Sequence, residues 1–372
     1  MIKVFEPKID AFDIEEVKKS LLQTNISGTS PVVNEFETKL AKKFDRKYAI
    51  AVSNGSVALD IAFNIYSFKK SDEVILPSFT IISCLSAVIR SGAKPVFCDV
   101  NPNTWNMTLE NVEKVVTSKT KAVLMVHTYG LAAEAKKIQN FCKQHNLILI
   151  EDSAEAHGQY ESNIKCGSFG DLSTMSFYAN KHITTGEGGA ILTNNKTKYK
   201  LAKQIINLDF VNNQRFKHKN FYWNYRLGGM QASLGISQIK KLENTIKNKK
   251  SQGLYYNSLL EGHEDLISLQ PIINDSTENH FWVFGILLKK KNTRNNIMKY
   301  LLEKKIETRP FFWPLHLQPA LKKSKNLNNN NLKVSENLGK NGLYIPIGPH
   351  IAKADQEYII ENLLKSILKK RY

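Results

Sequence analysis

Between residues 45 and 195, short apolar runs rich in β-branched residues alternate with segments of helical period. The runs at 48–52, 73–76, 95–100, 122–127 and 147–150 predict strands, and 57–66, 81–91, 109–117 and 134–145 predict the helices between them. Such alternation is the pattern of a parallel sheet with crossover helices. Two later runs, 172–178 and 189–193, follow without a long intervening helix and are expected to complete the same sheet. Ahead of them, residues 33–44 set Val33, Phe36, Leu40 and Phe44 on one helical face, as an element covering a core does. Beyond residue 230 the rhythm changes to one long polar helix at 230–258, a strand at 281–288 and helices at 293–304 and 355–369. The chain is therefore expected to divide near residue 245, into an N-terminal arm and large domain (1–245) and a smaller C-terminal α/β domain (246–372). The Asn-rich stretch 326–331 reads as an exposed loop.

Composition narrows the class. With 372 residues, 42% of them hydrophobic, the chain can bury a substantial core. No run of about 18 uncharged apolar residues occurs, and the opening Met1-Ile2-Lys3-Val4-Phe5-Glu6-Pro7 lacks the layout of a secretory signal, so a cytoplasmic protein without membrane attachment is expected. The net charge of +18 favours phosphorylated ligands. The lysines are scattered among asparagines, with no aromatic-interleaved basic module, which argues against nucleic acid as a partner. Cys84, Cys98, Cys142 and Cys166 are too widely spaced for a CxxC pair and read as reduced structural thiols, with no metal site expected.

Three weak signals carry chemistry. Ligands of open parallel sheets sit at the carboxyl ends of strands, and Asp152 directly follows the run 147–150. A carboxylate there can keep a heteroaromatic nitrogen protonated through a charge-assisted hydrogen bond, although an Asp after a strand more commonly just caps a turn. Lys181 lies just beyond another strand, in Ser176-Phe177-Tyr178-Ala179-Asn180-Lys181-His182-Ile183-Thr184-Thr185-Gly186-Glu187-Gly188-Gly189. A desolvated lysine there would lose its proton readily and attack an aldehyde. Ser53-Asn54-Gly55-Ser56 links a strand to a helix, so free amides and the helix dipole would face an anion, phosphate being the natural guest. The segment is neither a Walker A sequence nor a GxGxxG.

Together, a phosphate cradle, a strand-end aspartate and a later lysine are the parts that hold pyridoxal phosphate. The chain resembles the DegT/DnrJ/EryC1/StrS family of pyridoxal-phosphate-dependent sugar aminotransferases. The resemblance runs through Ser53 to Leu59, Gly92 to Phe97, Glu151 to Gly158, the Lys181 segment, Asn224-Tyr225-Arg226 and Thr308 to His316. It implies an aspartate aminotransferase-like (fold type I) architecture with a mostly parallel sheet in the large domain. By resemblance, Lys181 would bond covalently to the cofactor and then shuttle protons, and Asp152 would pair with its pyridine nitrogen. Gly55, Ser56 and Ser176 would hold its phosphate, Glu155 would lie near its ring hydroxyl, and Asn224 would reach the cofactor phosphate of a neighbouring subunit. That last role implies a homodimer with shared sites. Arg226, Arg309, Trp313 and His316 would line the substrate entrance.

The implied reaction moves the amino group of L-glutamate, by way of pyridoxamine phosphate, to a keto group of a nucleotide-linked sugar resembling GDP-4-keto-6-deoxymannose, for surface polysaccharide. A smaller phosphorylated ketone is the alternative acceptor. A sugar dehydratase of the same fold is a further alternative, but there a histidine replaces the lysine that this chain keeps as Lys181. Two departures from the family bear on the acceptor. Ile81 stands where an aromatic residue usually stacks on the cofactor ring, with Phe79 as a candidate substitute, and 207–215 lacks a common Gly-x-Gly. Trp105, Trp223 and Trp282 read as core or interface aromatics, and His127 and His157 as hydrogen-bonded structural histidines. Asp99 and Asn101 read as turn residues.

Overall fold

The computed structural model describes residues 1–210, 216–275, 277–323 and 331–368. All but Asn331 of the expected loop at 326–331, and the 211–215 part of the acceptor-side segment, lie outside them. Seven strands, β1 (Tyr48–Val52), β2 (Glu73–Pro77), β3 (Lys94–Cys98), β4 (Thr120–Val126), β5 (Ile148–Asp152), β8 (Leu172–Ser176) and β9 (Gly189–Thr193), form one sheet in the order β3-β2-β4-β5-β8-β9-β1. Only β9 runs against its neighbours, pairing antiparallel with both β8 and β1. It can do so because no crossover helix separates it from β8, whereas parallel neighbours need one. Between β5 and β8 lies a small hairpin of β6 (Tyr160–Glu161) and β7 (Ile164–Lys165).

Helices cover both faces. Helices α3 (Gly55–Asn64) and α4 (Ile82–Arg90) bury Leu59, Phe63, Leu85 and Val88 on one face. The α2 stripe (Pro31–Lys43) inserts Val33, Phe36 and Leu40 on the other, with Phe44 just past its end, as the spacing predicts. Also on that second face, α5 (Leu109–Glu113) and α6 (Ala135–Gln144) contribute Val112, Ile138 and Phe141. Two elements escape the apolar-stripe criterion. Helix α1 (Ala11–Leu22) buries Asp13 and Ser20 while Phe12 and Leu22 are exposed, and α7 (Lys196–Ile205) buries only Ala202 and Ile205 amid lysines.

The single long helix expected at 230–258 is two, α8 (Gly229–Lys240) and α9 (Leu242–Leu260), interrupted at Lys241. Lys241 turns its N–H to Gln238 and its ammonium to Asp10 and Asp13, tying the break to the capping box of α1. Beyond it a second sheet runs β10 (Ile267–Ser268), β13 (Phe284–Leu288), β15 (Gly342–Ile345) and β14 (Arg309–Pro310), with a separate hairpin of β11 (Ile273–Asn274) and β12 (Thr277–Glu278). The strand expected from residue 281 begins only at Phe284, because Phe281 sits at φ 49°, outside extended backbone. Helices α10 (Arg294–Glu303), α11 (Lys333–Asn341) and α12 (Lys353–Leu368) accompany this sheet. Asp99, expected as a turn residue, instead accepts from Val334 N–H and from the Ser335 N–H and hydroxyl, pinning the start of α11 to the end of β3. Asn101 does make the expected turn, accepting from Asn103 and Thr104.

One buried ionic node braces β5 from below. Glu151 accepts from Phe169 N–H and Gly170 N–H at 2.9 Å, from Ser173 Oγ at 2.7 Å and from His127 Nε2 at 3.0 Å. His127 Nδ1 accepts the Ala133 N–H, so Nε2 is the donor to Glu151 and the ring's role is structural. Cys166 is also within 4.8 Å, but the donors already present use the carboxylate's acceptor capacity. Burial alone would raise the Glu151 pKa, yet these hydrogen bonds hold it at about 2. Glu151→Gln is therefore expected to cost about 3 kcal/mol or more, read as a lower denaturation midpoint. The sign with pH follows: the carboxylate's contribution is complete above its ordinary 4.5 and fades as pH falls toward about 2, so the two midpoints should converge across that window.

Candidate active site

The carboxyl ends of β5 and β8 meet the first turns of α3 and α4. Asn54 caps α3 by accepting the Val57 N–H at 2.9 Å, which leaves the Gly55 and Ser56 amides at the positive end of the helix with no intrahelical carbonyl to reach. Glycine is required here, since a Cβ on Gly55 would lie 2.7 Å from Ser176 Cβ at the end of β8. Ser56 Oγ is 2.7 Å from Ser83 Oγ in the first turn of α4, so two helix starts converge here, with the Ser176 hydroxyl beside Gly55.

Beside this cradle lies the acid–base group. Asp152 ends β5, is 4% exposed, and accepts only from Ala154 N–H (3.0 Å) and the Cys84 thiol (3.4 Å). Burial raises its pKa against those two hydrogen bonds. An additional N–H donor would offset that penalty. Lys181 Nζ lies 3.7 Å from Glu155 Oε1, and both side chains are under a tenth exposed. Burial lowers the lysine and raises the carboxyl, driving both toward their neutral forms. Glu155 is oriented by the Tyr129 N–H at 3.0 Å, delivered from a left-handed turn in which Gly130 at φ 94° passes so close to Trp282 that a Cβ would meet its amide nitrogen at 2.4 Å. Lys181 itself rests over the Trp282 ring, 3.7 Å from the centroid.

The structure thus brings Gly55, Ser56, Ser176, Asp152, Glu155 and Lys181 to one end of the sheet. These residues fit pyridoxal phosphate: an amide-and-hydroxyl cradle for its phosphate, a buried carboxylate for a ring N–H, and a desolvated amine for its aldehyde. Ile81 is 38% exposed at the start of α4 and can only pack. Phe79 cannot substitute for an aromatic there. It is fully buried against Tyr129, Phe311 and Phe312 in the aromatic cluster between the two sheets.

The outer residues divide. Arg226 bridges to Val52 at the end of β1 and donates to Asn207, and exposed Asn224 lies alongside. Arg309 covers the Phe5 ring at 4.9 Å, and Phe5 in turn meets Tyr178. Trp313 is 42% exposed and donates its indole N–H to the Leu317 carbonyl. His316 has a side chain only 4% exposed, with Nδ1 2.6 Å from Ser78 Oγ and Nε2 3.6 Å from Glu336, so it pins the end of β2 to the C-terminal segment. A cavity of about 330 Å³ opens between residues 5–12, the α8–α9 junction and residues 347–349, and reaches Asn180 and Lys181.

Sequence reasoning missed Ser83, Cys84 and Trp282. Cys84 and Trp282 were read as packing residues, and nothing local in the chain distinguishes a packing tryptophan from one beneath an amine 101 positions away.

The family profile described as the DegT/DnrJ/EryC1/StrS aminotransferase family matches residues 7–364. The chain is 33% identical over 366 residues to GDP-perosamine synthase of Escherichia coli O157:H7, covering 97% of each. Among solved structures it is similar to the aminotransferase from Psychrobacter cryohalolentis, at 26% identity and a TM-score of 0.89 over 96% of this chain and 97% of that one. It is also similar to GDP-4-keto-6-deoxymannose-3-dehydratase (ColD) with bound GDP-perosamine, at 26% identity and a TM-score of 0.90 over 98% and 100%. By its fold, by the residues gathered at its strand ends and by a match running nearly end to end, the chain belongs to the pyridoxal-phosphate-dependent DegT/DnrJ/EryC1/StrS aminotransferase family.

Proposed function

We propose that the enzyme takes the amino group of L-glutamate and delivers it to a keto group of a nucleotide-linked sugar resembling GDP-4-keto-6-deoxymannose, in the making of surface polysaccharide. The observation that carries this reading is the buried Lys181 beside Glu155 and Asp152. The bound cofactor supplies an electron sink for the carbon that loses its proton. Around it, Asp152 would hold the ring nitrogen's proton, Gly55, Ser56 and Ser176 would fix the phosphate, and Lys181 Nζ would remove and return the substrate proton. Glu155 would meet the ring hydroxyl. Arg226, Arg309 and Trp313 are candidates to meet the substrate's charged and planar groups. Retention of a lysine at position 181 favours amino transfer over the dehydratase alternative.

The 33% identity to a GDP-perosamine synthase supports the sugar nucleotide. Exposed aromatics beside Asn224, with Trp223 at 41% and Phe221 fully exposed, suit a surface covered by a second copy that shares the site. Four buried, unpaired cysteines suit a reducing cytoplasm, and no helix among the described residues is long and apolar enough to cross a membrane. The division into a large domain through residue 245 and a smaller one beyond belongs to the same proposal. It is supported by the two separate sheets, with the boundary falling inside α9.

The purified enzyme should be yellow, lose that colour with L-glutamate and regain it with the acceptor. In a panel of acceptors, GDP-4-keto-6-deoxymannose should turn over with glutamate. Turnover with a small keto phosphate alone would overturn the sugar reading.

A further inference from the structure

Trp282 has no part in the chemistry described so far, yet it is fixed at every end. Its indole N–H donates to the carbonyl of Asn180, the residue before Lys181, at 3.0 Å. Its own carbonyl accepts from Lys249 Nζ at 2.7 Å, and Lys249 is itself a buried lysine of α9. Its ring is 6.0 Å from that of Tyr129, the residue whose N–H orients Glu155. Filling core volume accounts for its 5% exposure but not for a ring face turned to the one amine of the site.

Lysine has a long, freely rotating stem, and holding its amine in one place costs up to about 2 kcal/mol of rotamer entropy. A carboxylate could hold the amine but would stabilise the ammonium and suppress the nucleophile. An aromatic wall also favours the cation, through its quadrupole, but less strongly than a carboxylate does, and it makes no hydrogen bond that must break when the amine gives up its proton. Water is kept from the same side.

We propose that Trp282 is a positioning residue for amino transfer, its indole face holding the Lys181 amine in reach of the cofactor aldehyde, with Lys249 as the anchor of the backbone that carries the indole. The proposal rests on the reading of Lys181 as the covalent partner. The other titratable groups around that amine are Glu155, Asp152 and Lys249, with the uncharged ring of His157 nearby. Both carboxylates stay in place in the variants below.

The test is the rate at which cofactor-free enzyme captures added pyridoxal phosphate on Lys181, read by borohydride trapping at timed intervals and mass spectrometry of the Lys181 peptide. Trp282→Leu should slow capture by at least about fivefold, because the unrestrained amine then spends less of its time in reach of the aldehyde, while Trp282→Phe stays within about twofold. Lys249→Met should slow it by at least about threefold, because the Trp282 carbonyl, and with it the backbone that carries the indole, is then released. Folding of each variant is checked by circular dichroism. If Trp282→Leu does not fold, the Lys249→Met rate decides alone. Capture at the wild-type rate in the folded Trp282→Leu or Lys249→Met variant overturns the proposal. Absence of label on Lys181 in the wild type overturns the parent reading instead, so the two failures are distinct.

Discussion

Lys181→Ala is expected to abolish covalent capture of the cofactor and to lower amino transfer by at least about a thousandfold, the usual scale for loss of a nucleophile that also serves as the base. On the proposed reading one amine performs both roles, so the two fail together. The structure places that amine where burial depresses its proton affinity, with Glu155 Oε1 at 3.7 Å as its nearest carboxylate. The buried lysine that could compete is Lys249, whose pKa is pushed down to about 7 by burial and by the neighbouring Lys181 and whose Nζ donates to the Trp282 carbonyl. The measurement is the lysine–cofactor absorption band, together with borohydride trapping and peptide mapping. A Lys181→Ala protein that keeps the band, or a label on another lysine, would show that the nucleophile lies elsewhere. Because Lys181 is packed over Trp282 and not in the central core, the alanine protein should retain its fold.

Asp152→Asn is expected to reduce amino transfer by about a hundredfold or more while leaving the covalent capture at Lys181 intact. The substitution preserves shape and an acceptor oxygen for the Ala154 N–H, while the amide nitrogen that replaces the other oxygen no longer accepts from the Cys84 thiol, and the charge is removed. A neutral amide cannot sustain a protonated ring nitrogen as a buried carboxylate does, so the electron sink weakens and proton removal slows. In the free protein, burial raises the Asp152 pKa, which makes the ionised form costly without a partner. The asparagine protein should therefore be at least as stable as wild type without cofactor. Thermal melts with and without pyridoxal phosphate check this, and the wild type should gain more from the cofactor than the variant does. Equal turnover in the two proteins would remove Asp152 from the chemistry.

These two residues could be read from the chain because each closes a local pattern. Asp152 follows an apolar run, and strand geometry alone puts such a residue at the ligand end of a parallel sheet. Lys181 sits in a glycine-rich stretch after another strand, and Gly55 and Ser56 open a helix directly after a third. Seven strands of the main sheet were legible for the same reason: a strand buried on both faces is a continuous apolar run, visible without knowing its neighbours. Helix α1 was not, because it presents Asp13 and Ser20 inward and leaves Phe12 outside. Nor was the break at Lys241, which depends on carboxylates more than 220 positions earlier in the chain.

What the sequence determined by itself was the set of strand ends and the reactive side chains they carry, since both follow from short-range periodicity and chain direction. Only the tertiary structure decided what surrounds those side chains. The Cys84 thiol on Asp152, the Tyr129 amide on Glu155 and the Trp282 face under Lys181 join segments 26 to 101 residues apart. The same is true of His316, which the fold turns inward to Ser78 across 238 positions. Side-chain direction and desolvation are set by which distant elements pack together, and no local pattern of residues encodes that choice.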